Sequence, residues 1–247
     1  MNLETFRNHA FSRSIELSKH IRNITNGRVY YGPFKNTYIS EKFLWGDGDV
    51  SSKLMGLYEQ QLFPYIENVI NAEPDLVLNI GCAEGYYGVG FANRLPNSKV
   101  VMVDVNAAFS SIIDENINNN NLSNVEVIFD SSHNTINRYI NQSKNPFIFM
   151  DCEGAELHLL DKNYVERLKY TTIIVETHDF SNSIITETIK SRFSNTHDVE
   201  VISSSSSKNM NIDIIKNLSD VDKMLLWSEW RPCEMHWLYL TPKLDLI

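Results

Sequence analysis

The residues best suited to chemistry begin just after position 75. In Val77-Leu-Asn-Ile-Gly-Cys-Ala-Glu-Gly-Tyr86 an apolar run enters Gly81, the chain turns, and Gly85 opens a helix. Glycine has no Cβ, so a ligand can lie against the backbone there, and a helix start offers unpaired N–H groups. Asp104 follows 19 residues after Gly85, at the end of the next apolar run, Lys99-Val-Val-Met-Val103. An acid in that place can accept hydrogen bonds from both hydroxyls of a ribose. Gly81, Gly85 and Asp104 together describe an adenosine-type cofactor site. The spacing Gly81-x-Ala83-x-Gly85 is not the dinucleotide GxGxxG pattern. Glu84 places negative charge where a dinucleotide would seat its pyrophosphate. That disfavours an NAD-linked oxidoreductase and suits a cofactor carrying a cationic sulfonium and amine.

A second set of reactive residues falls at the ends of two later apolar runs. Asp151 and Glu153 follow Pro146-Phe-Ile-Phe-Met150; Glu176 and His178 follow Thr172-Ile-Ile-Val175. Residues two apart on an extended segment face the same side, so Glu176 and His178 point together. An imidazole suits proton transfer near neutral pH, which makes His178 the candidate general base, with Glu176 or Asp151 orienting it or the substrate. A polar cap on the strand end is the alternative for His178. Glu153 and Glu156 also suit a helix N-terminus, where the macrodipole favours acids. Asp151, Glu153, Glu176 and His178 could equally ligate Mg²⁺ or Mn²⁺; such clusters commonly hold no metal, so the metal-free reading is preferred.

The elements that must hold these residues alternate. Strands are expected at 76–80, 99–103, 125–129, 146–150, 172–175, 199–202 and 236–241. Helices are expected at 87–95, 107–120, 133–142, 155–168 and 184–193. This alternation implies βαβ units and a parallel sheet. The last strands lack a full helical pattern between Asp220 and Trp237, which suggests an antiparallel edge hairpin. Ahead of the sheet, 3–24 reads as a helix, 28–33 as a short strand and turn, and 54–70 as a helix that Pro64 breaks or restarts. Residues 1–73 are thus expected to form a helical extension and 74–247 the cofactor domain. The aromatic and glycine-rich segments 30–38 and 42–49 could fold over the crevice as a lid or pack the extension onto the sheet. Trp227, Trp230, Trp237 and Arg231 could add to the same pocket, with Arg231 clamping a carboxylate or phosphate. Ser203 to Ser207 reads as a polar connecting loop.

Bulk properties narrow the classes. The chain has 247 residues, a net charge of −9 and 43% apolar residues. That is enough for one α/β domain with an addition. The acidity disfavours a nucleic-acid partner, since phosphate binding needs a basic surface. No apolar run approaches the ~18 residues of a membrane helix, and the start lacks a secretory pattern. Three separated cysteines, Cys82, Cys152 and Cys233, indicate neither a disulfide framework nor a zinc ribbon. A reduced cytoplasm is the expected location.

The motifs carry a resemblance. Val77 to Tyr86 and Val101-Met-Val-Asp-Val105 resemble the first and second motifs of class I methyltransferases dependent on S-adenosylmethionine (SAM). Val127-Ile-Phe-Asp130 resembles the third-strand motif near the adenine. Phe149-Met-Asp-Cys-Glu-Gly-Ala-Glu-Leu157 resembles the D-x-EGAE segment of the FkbM family, and Ile173-Ile-Val-Glu-Thr-His178 resembles that family's fifth-strand ending. The resemblance covers about 75–179. It implies a Rossmann-like, seven-stranded, mostly parallel α/β sheet of order 3-2-1-4-5-7-6 with helices on both faces. It implies SAM at the first-strand turn, held by Asn79, Gly81, Cys82, Ala83, Glu84, Gly85, Tyr86, Asp104, Val105, Asp130 and Asp151. It also implies O-methylation of a sugar, polyketide or similar hydroxyl, relatives acting instead on amide nitrogen in modified peptides. The acceptor is then a small molecule, glycan or peptide, and a homodimer is possible. Asn79 stands where the family usually has an acid, and Ala83 where it often has Gly; a degenerate binding module is the non-enzymatic alternative. A nucleic-acid methyltransferase is disfavoured by Asp151-Cys-Glu-Gly154 in place of (Asp/Asn)-Pro-Pro-(Tyr/Phe).

Overall fold

The computed structural model describes residues 2–42, 49–204 and 212–243. Residues 43–48 of the expected lid and 205–207 of the polar loop lie outside the described residues. Seven strands form one sheet: β1 (Leu76–Ile80), β2 (Lys99–Val103), β3 (Val125–Ile128), β4 (Pro146–Met150), β5 (Thr172–Thr177), β6 (His197–Ser203) and β7 (His236–Pro242). Their order is β3-β2-β1-β4-β5-β7-β6, as the resemblance implies. β1 pairs in parallel with β2 and β4, and β7 runs antiparallel between β5 and β6.

The central strands β1, β4 and β5 are buried almost throughout because both faces are covered there. Period-two alternation divides them between two cores. Val77, Val100, Met102, Phe147, Phe149 and Ile174 join one buried cluster. Leu78, Ile80, Val101, Val103, Ile148, Met150, Ile173 and Val175 join the other. The first face is covered by α1 (Leu3–Thr25), α2 (Val50–Met55), α3 (Phe63–Asn71), α4 (Tyr86–Arg94), α5 (Ser110–Asn119) and α10 (Asp220–Trp227). The second is covered by α6 (His133–Ile140), α7 (Glu156–Leu159), α8 (Val165–Leu168) and α9 (Ile185–Phe193). Each fully buried aliphatic side chain contributes about 1.5–3 kcal/mol.

Four expectations change. Residues 28–33 form no strand: only an isolated bridge joins Arg28 to Tyr38, because turns at Gly32 and Asn36 fold the segment back on itself. The helix expected over 54–70 is divided. α2 stops at Gly56, which is left-handed (φ 71°), and Pro64 sits in the first turn of α3, where its missing N–H is harmless. The helix expected over 155–168 is two single-turn pieces, α7 and α8. α10 occupies the stretch where no full helix was expected. Ser219 caps it through Asp222 N, and Arg13 of α1 pairs with Asp222 at 2.9 Å. Among the described residues, no helix is long and apolar enough to cross a membrane.

Candidate functional site

The turn after β1 is shaped by its neighbours. Gly81 has φ 77°, and a Cβ there would sit 1.6 Å from the carbonyl oxygen of Asp151. The glycine is therefore required by the close passage of the chain leaving β4, rather than by a ligand. Gly85, at φ 91°, caps α4, and a Cβ there would meet Met102 Cε at 2.4 Å. Ala83 is left-handed without being glycine, at φ 45°. Gly81 N and Cys82 N both donate to Val103 O, at 2.8 and 3.1 Å. Asp104 binds the two loops together: its Oδ2 accepts from Ala83 N at 2.9 Å and its Oδ1 from Asn106 N at 2.8 Å. A carboxylate has further lone pairs for hydroxyl donors.

These loops wall a cavity of about 400 Å³. Asn79, Gly81, Cys82, Ala83, Glu84, Tyr86, Asp104, Val105 and Asp151 all line it. Gly85 does not; its part is to start the helix. Asp130 does not either, which corrects the expectation from the third-strand motif. β3 ends at Ile128, and Asp130 turns toward the start of α6, accepting from Ser132 N (2.9 Å) and from the Thr135 hydroxyl. Ser131 reaches the cavity instead. Asn79 is 1% exposed, and its Oδ1 has no hydrogen-bond partner among the described residues. An orphaned buried acceptor costs about 1–3 kcal/mol, so this atom calls for a donor on whatever fills the cavity. Volume and donor demand both fit an adenosine cofactor with a cationic amine.

The second cluster assembles around His178, which is 2% exposed. Its Nδ1 lies 2.9 Å from Glu156 Oε1. Glu156 is fully buried, and the same oxygen accepts from Cys152 N (3.0 Å) and Gly154 N (3.3 Å). The residue that orients the imidazole is thus Glu156, not Glu176 or Asp151. The turn that places it needs left-handed Glu153 (φ 53°) and Gly154 (φ 106°). His178 Nε2 faces Asp151 Oδ1 at 3.4 Å, Glu153 Oε2 at 3.6 Å and Glu176 Oε2 at 3.7 Å. Donor atoms of Asp151, Glu153 and His178 lie within 4.8 Å of one another and could hold a cation.

Burial opposes charge on the ring, but the hydrogen bond and charge of Glu156, then Glu176 and Glu153, hold His178 above its ordinary pKa. Burial likewise opposes ionisation of Glu156, and His178 outweighs it, holding that carboxyl low. Burial, then the charges of Glu59 and Glu153, push Asp151 up to about 8. Burial and Asp151 push Glu176 up to about 8 against the pull of Arg231.

Arg231 is not free to clamp an acceptor. Its Nε pairs with Glu229 at 2.7 Å, and its two terminal nitrogens hold Glu176 and Glu59. Glu59 is fully buried, takes a hydrogen bond from Tyr87, and burial pushes it up to about 8. Sequence reasoning missed Glu59, Tyr58 and Lys53. They sit in broken helical segments with no local motif, and Glu59 meets Arg231 only through the fold. Trp237 is wholly buried behind Phe149 and Trp227 belongs to the core, whereas Trp230 lines a cavity. Phe34, in the segment read either as a lid or as packing, packs edge-on against Tyr86, Tyr87 and Phe91.

A second cavity of about 370 Å³ contains Glu176, His178 and Trp230 in its lining. It shares Asp49, Tyr58, Asp151 and Glu153 with the first. Two adjoining sites therefore meet at Asp151, with His178 on the second side.

No protein-family model matches the chain, and no curated protein matches it. Among solved structures, an Escherichia coli protein provisionally described as a methyltransferase, yhhF, aligns with TM-score 0.50 and 12% identity over 87% of this chain and 98% of its own. The chain has the Rossmann-like methyltransferase fold. An O-methyltransferase from Bacillus cereus, solved with S-adenosylhomocysteine, aligns with TM-score 0.46 and 16% identity over 93% of this chain and 90% of its own. The O-methyltransferase TomG from Streptomyces achromogenes, solved with SAM, aligns with TM-score 0.47 and 11% identity over 82% and 92%.

Proposed function

We propose that this protein is a SAM-dependent methyltransferase of the FkbM type that methylates a hydroxyl of a small-molecule acceptor. One observation carries the reading: the cavity at the β1 turn and the cavity holding His178 adjoin at Asp151. In the first, Asp104 is the candidate ribose acceptor and Asn79 Oδ1 the acceptor for the cofactor's amine. When bound, SAM supplies an electrophilic methyl carbon and a neutral thioether leaving group.

The remaining work falls to this chain's residues. With Nδ1–H donated to Glu156, the ring is fixed in the tautomer whose Nε2 lone pair faces the second cavity. Nε2 would take the proton of the acceptor hydroxyl during the transfer. Glu156 stabilises the resulting imidazolium. Tyr58 lines both cavities and helps fix the relative placement of the two reactants. The orphaned Asn79 oxygen supports a working cofactor site over a degenerate one, since an unused site would be expected to satisfy or lose that group.

Calorimetric titration with SAM and with NAD tests the reading. Saturable SAM binding, no NAD binding, and methyl transfer to a hydroxylated acceptor are expected. Failure to bind SAM sinks it.

A further inference from the structure

The second cavity is unusually acidic for a site that must accept a neutral hydroxyl. Five carboxylates line it: Asp49, Asp151, Glu153, Glu176 and Glu229. Three of them are occupied by cations of the protein itself. Asp49 pairs with Lys53 at 2.6 Å, and Glu176 and Glu229 pair with Arg231. Asp151 and Glu153 have no Lys or Arg ion pair among the described residues; each faces the edge of His178, at 3.4 and 3.6 Å, and Asp151 also shares a hydrogen bond with Glu176. Asp151 Oδ1 is sealed from solvent with no hydrogen-bond partner among the described residues, although 27% of its side chain remains exposed. Aromatic residues complete the lining: Phe11 and Trp230, in edge contact at 5.3 Å, Phe180, and Tyr58, whose ring already carries Lys53 Nζ at 4.8 Å. Carboxylates beside aromatic rings form the environment that holds an organic ammonium, by charge pairing and by attraction to the ring faces.

We propose that the acceptor carries a protonated amine near its reactive hydroxyl, bound by Asp151 and Glu153 against the aromatic wall of Trp230 and Phe11. This rests on the reading of that cavity as the acceptor site. The same wall excludes phosphorylated and carboxylated acceptors, because Arg231 is already committed to three carboxylates.

The test uses the full chain, with and without S-adenosylhomocysteine, and three matched sugars as probes: glucosamine (cationic), N-acetylglucosamine (neutral) and glucuronic acid (anionic). Calorimetric titration at pH 7 reads affinity. The expected result is about a tenfold or greater preference for glucosamine over its acetylated form and no glucuronic acid binding. Asp151→Asn and Glu153→Gln should each remove most of that preference, with circular dichroism verifying the fold. Equal binding of the neutral sugar, preference for the anionic one, or no glucosamine binding overturns the proposal. A parallel titration with Mn²⁺ alone separates the other cation source: tight Mn²⁺ binding that displaces glucosamine assigns the cluster to a metal and overturns it too. SAM affinity is measured on the same sample. Intact SAM binding without ammonium preference defeats only this inference, whereas absent SAM binding defeats the proposed function and leaves the ammonium result standing.

Discussion

At the scale of single residues, the His178–Glu156 pair makes the most exposed claim. The two are 2.9 Å apart, one 2% exposed and the other fully buried. His178→Gln should lower kcat by about 10²–10⁴, the usual range for a lost general base, and leave SAM affinity unchanged. Because Glu156 holds the ring's pKa above its ordinary value, wild-type activity should rise with pH through an inflection above about 6.5. Glu156→Gln removes that hold and should move the inflection downward while lowering kcat, a pH–rate profile that simple unfolding would not produce. His178 as a candidate was legible in the sequence from its position after an apolar run. Its partner was not, because Glu156 reads equally well as a helix-start acid, and in fact serves both purposes.

At the scale of elements, two contacts decide how loops hold the site. The β1 turn and the end of β4 press together so closely that only glycine fits at 81. Gly81→Ala should cost about 2–4 kcal/mol, combining a left-handed φ with a clash against main chain; a lowered urea midpoint would measure it. The strap between α10 and β7 is tied down by Arg231, which bridges Glu59 ahead of α3, Glu176 on β5 and Glu229. Arg231→Met leaves buried carboxylates unpaired and should destabilise by about 3–5 kcal/mol. The loss should be larger at pH 9 than at pH 6, where those carboxyls protonate. Adding Glu59→Gln should recover part of it in a double-mutant cycle. Arg231 and the tryptophans stood out in the sequence as pocket candidates. A guanidinium's availability, however, depends on which acids the fold brings to it, and those acids lie far from it in the chain.

At the scale of the whole molecule, the acidic centre sets a pH dependence of stability. Glu59, Asp151 and Glu176 are each pushed up to about 8 in the folded protein. Raised above their unfolded values near 4, these carboxyls bind protons in the native state that the unfolded chain releases. Their contribution is complete below about pH 4 and is lost as pH rises through about 8. The melting temperature should therefore fall between pH 6 and pH 9, while the proposed methyl transfer, with neutral His178 as its base, should rise over the lower part of that span. Asp151→Asn should flatten the fall in differential scanning calorimetry. A melting temperature that climbs over this interval would contradict the assigned burial.

The sequence by itself determined the strands and most of the residues that line the cavity at the β1 turn, and the resemblance supplied their order. Short apolar runs, spaced by helices, leave few ways to bury both faces, and the Gly81–Gly85 turn with Asp104 is a local signal because its residues act where they stand. Asp130 is the exception, since two residues of turn redirected it to Ser132 and Thr135 at the start of α6. Only the tertiary structure decided the division of the second cluster: which acid grips His178, that Arg231 is already spoken for, and that Glu59 belongs to the centre at all. Those outcomes depend on burial and on contacts between residues as far apart as 59 and 231, and charge in a protein interior is governed by such neighbours rather than by position along the chain.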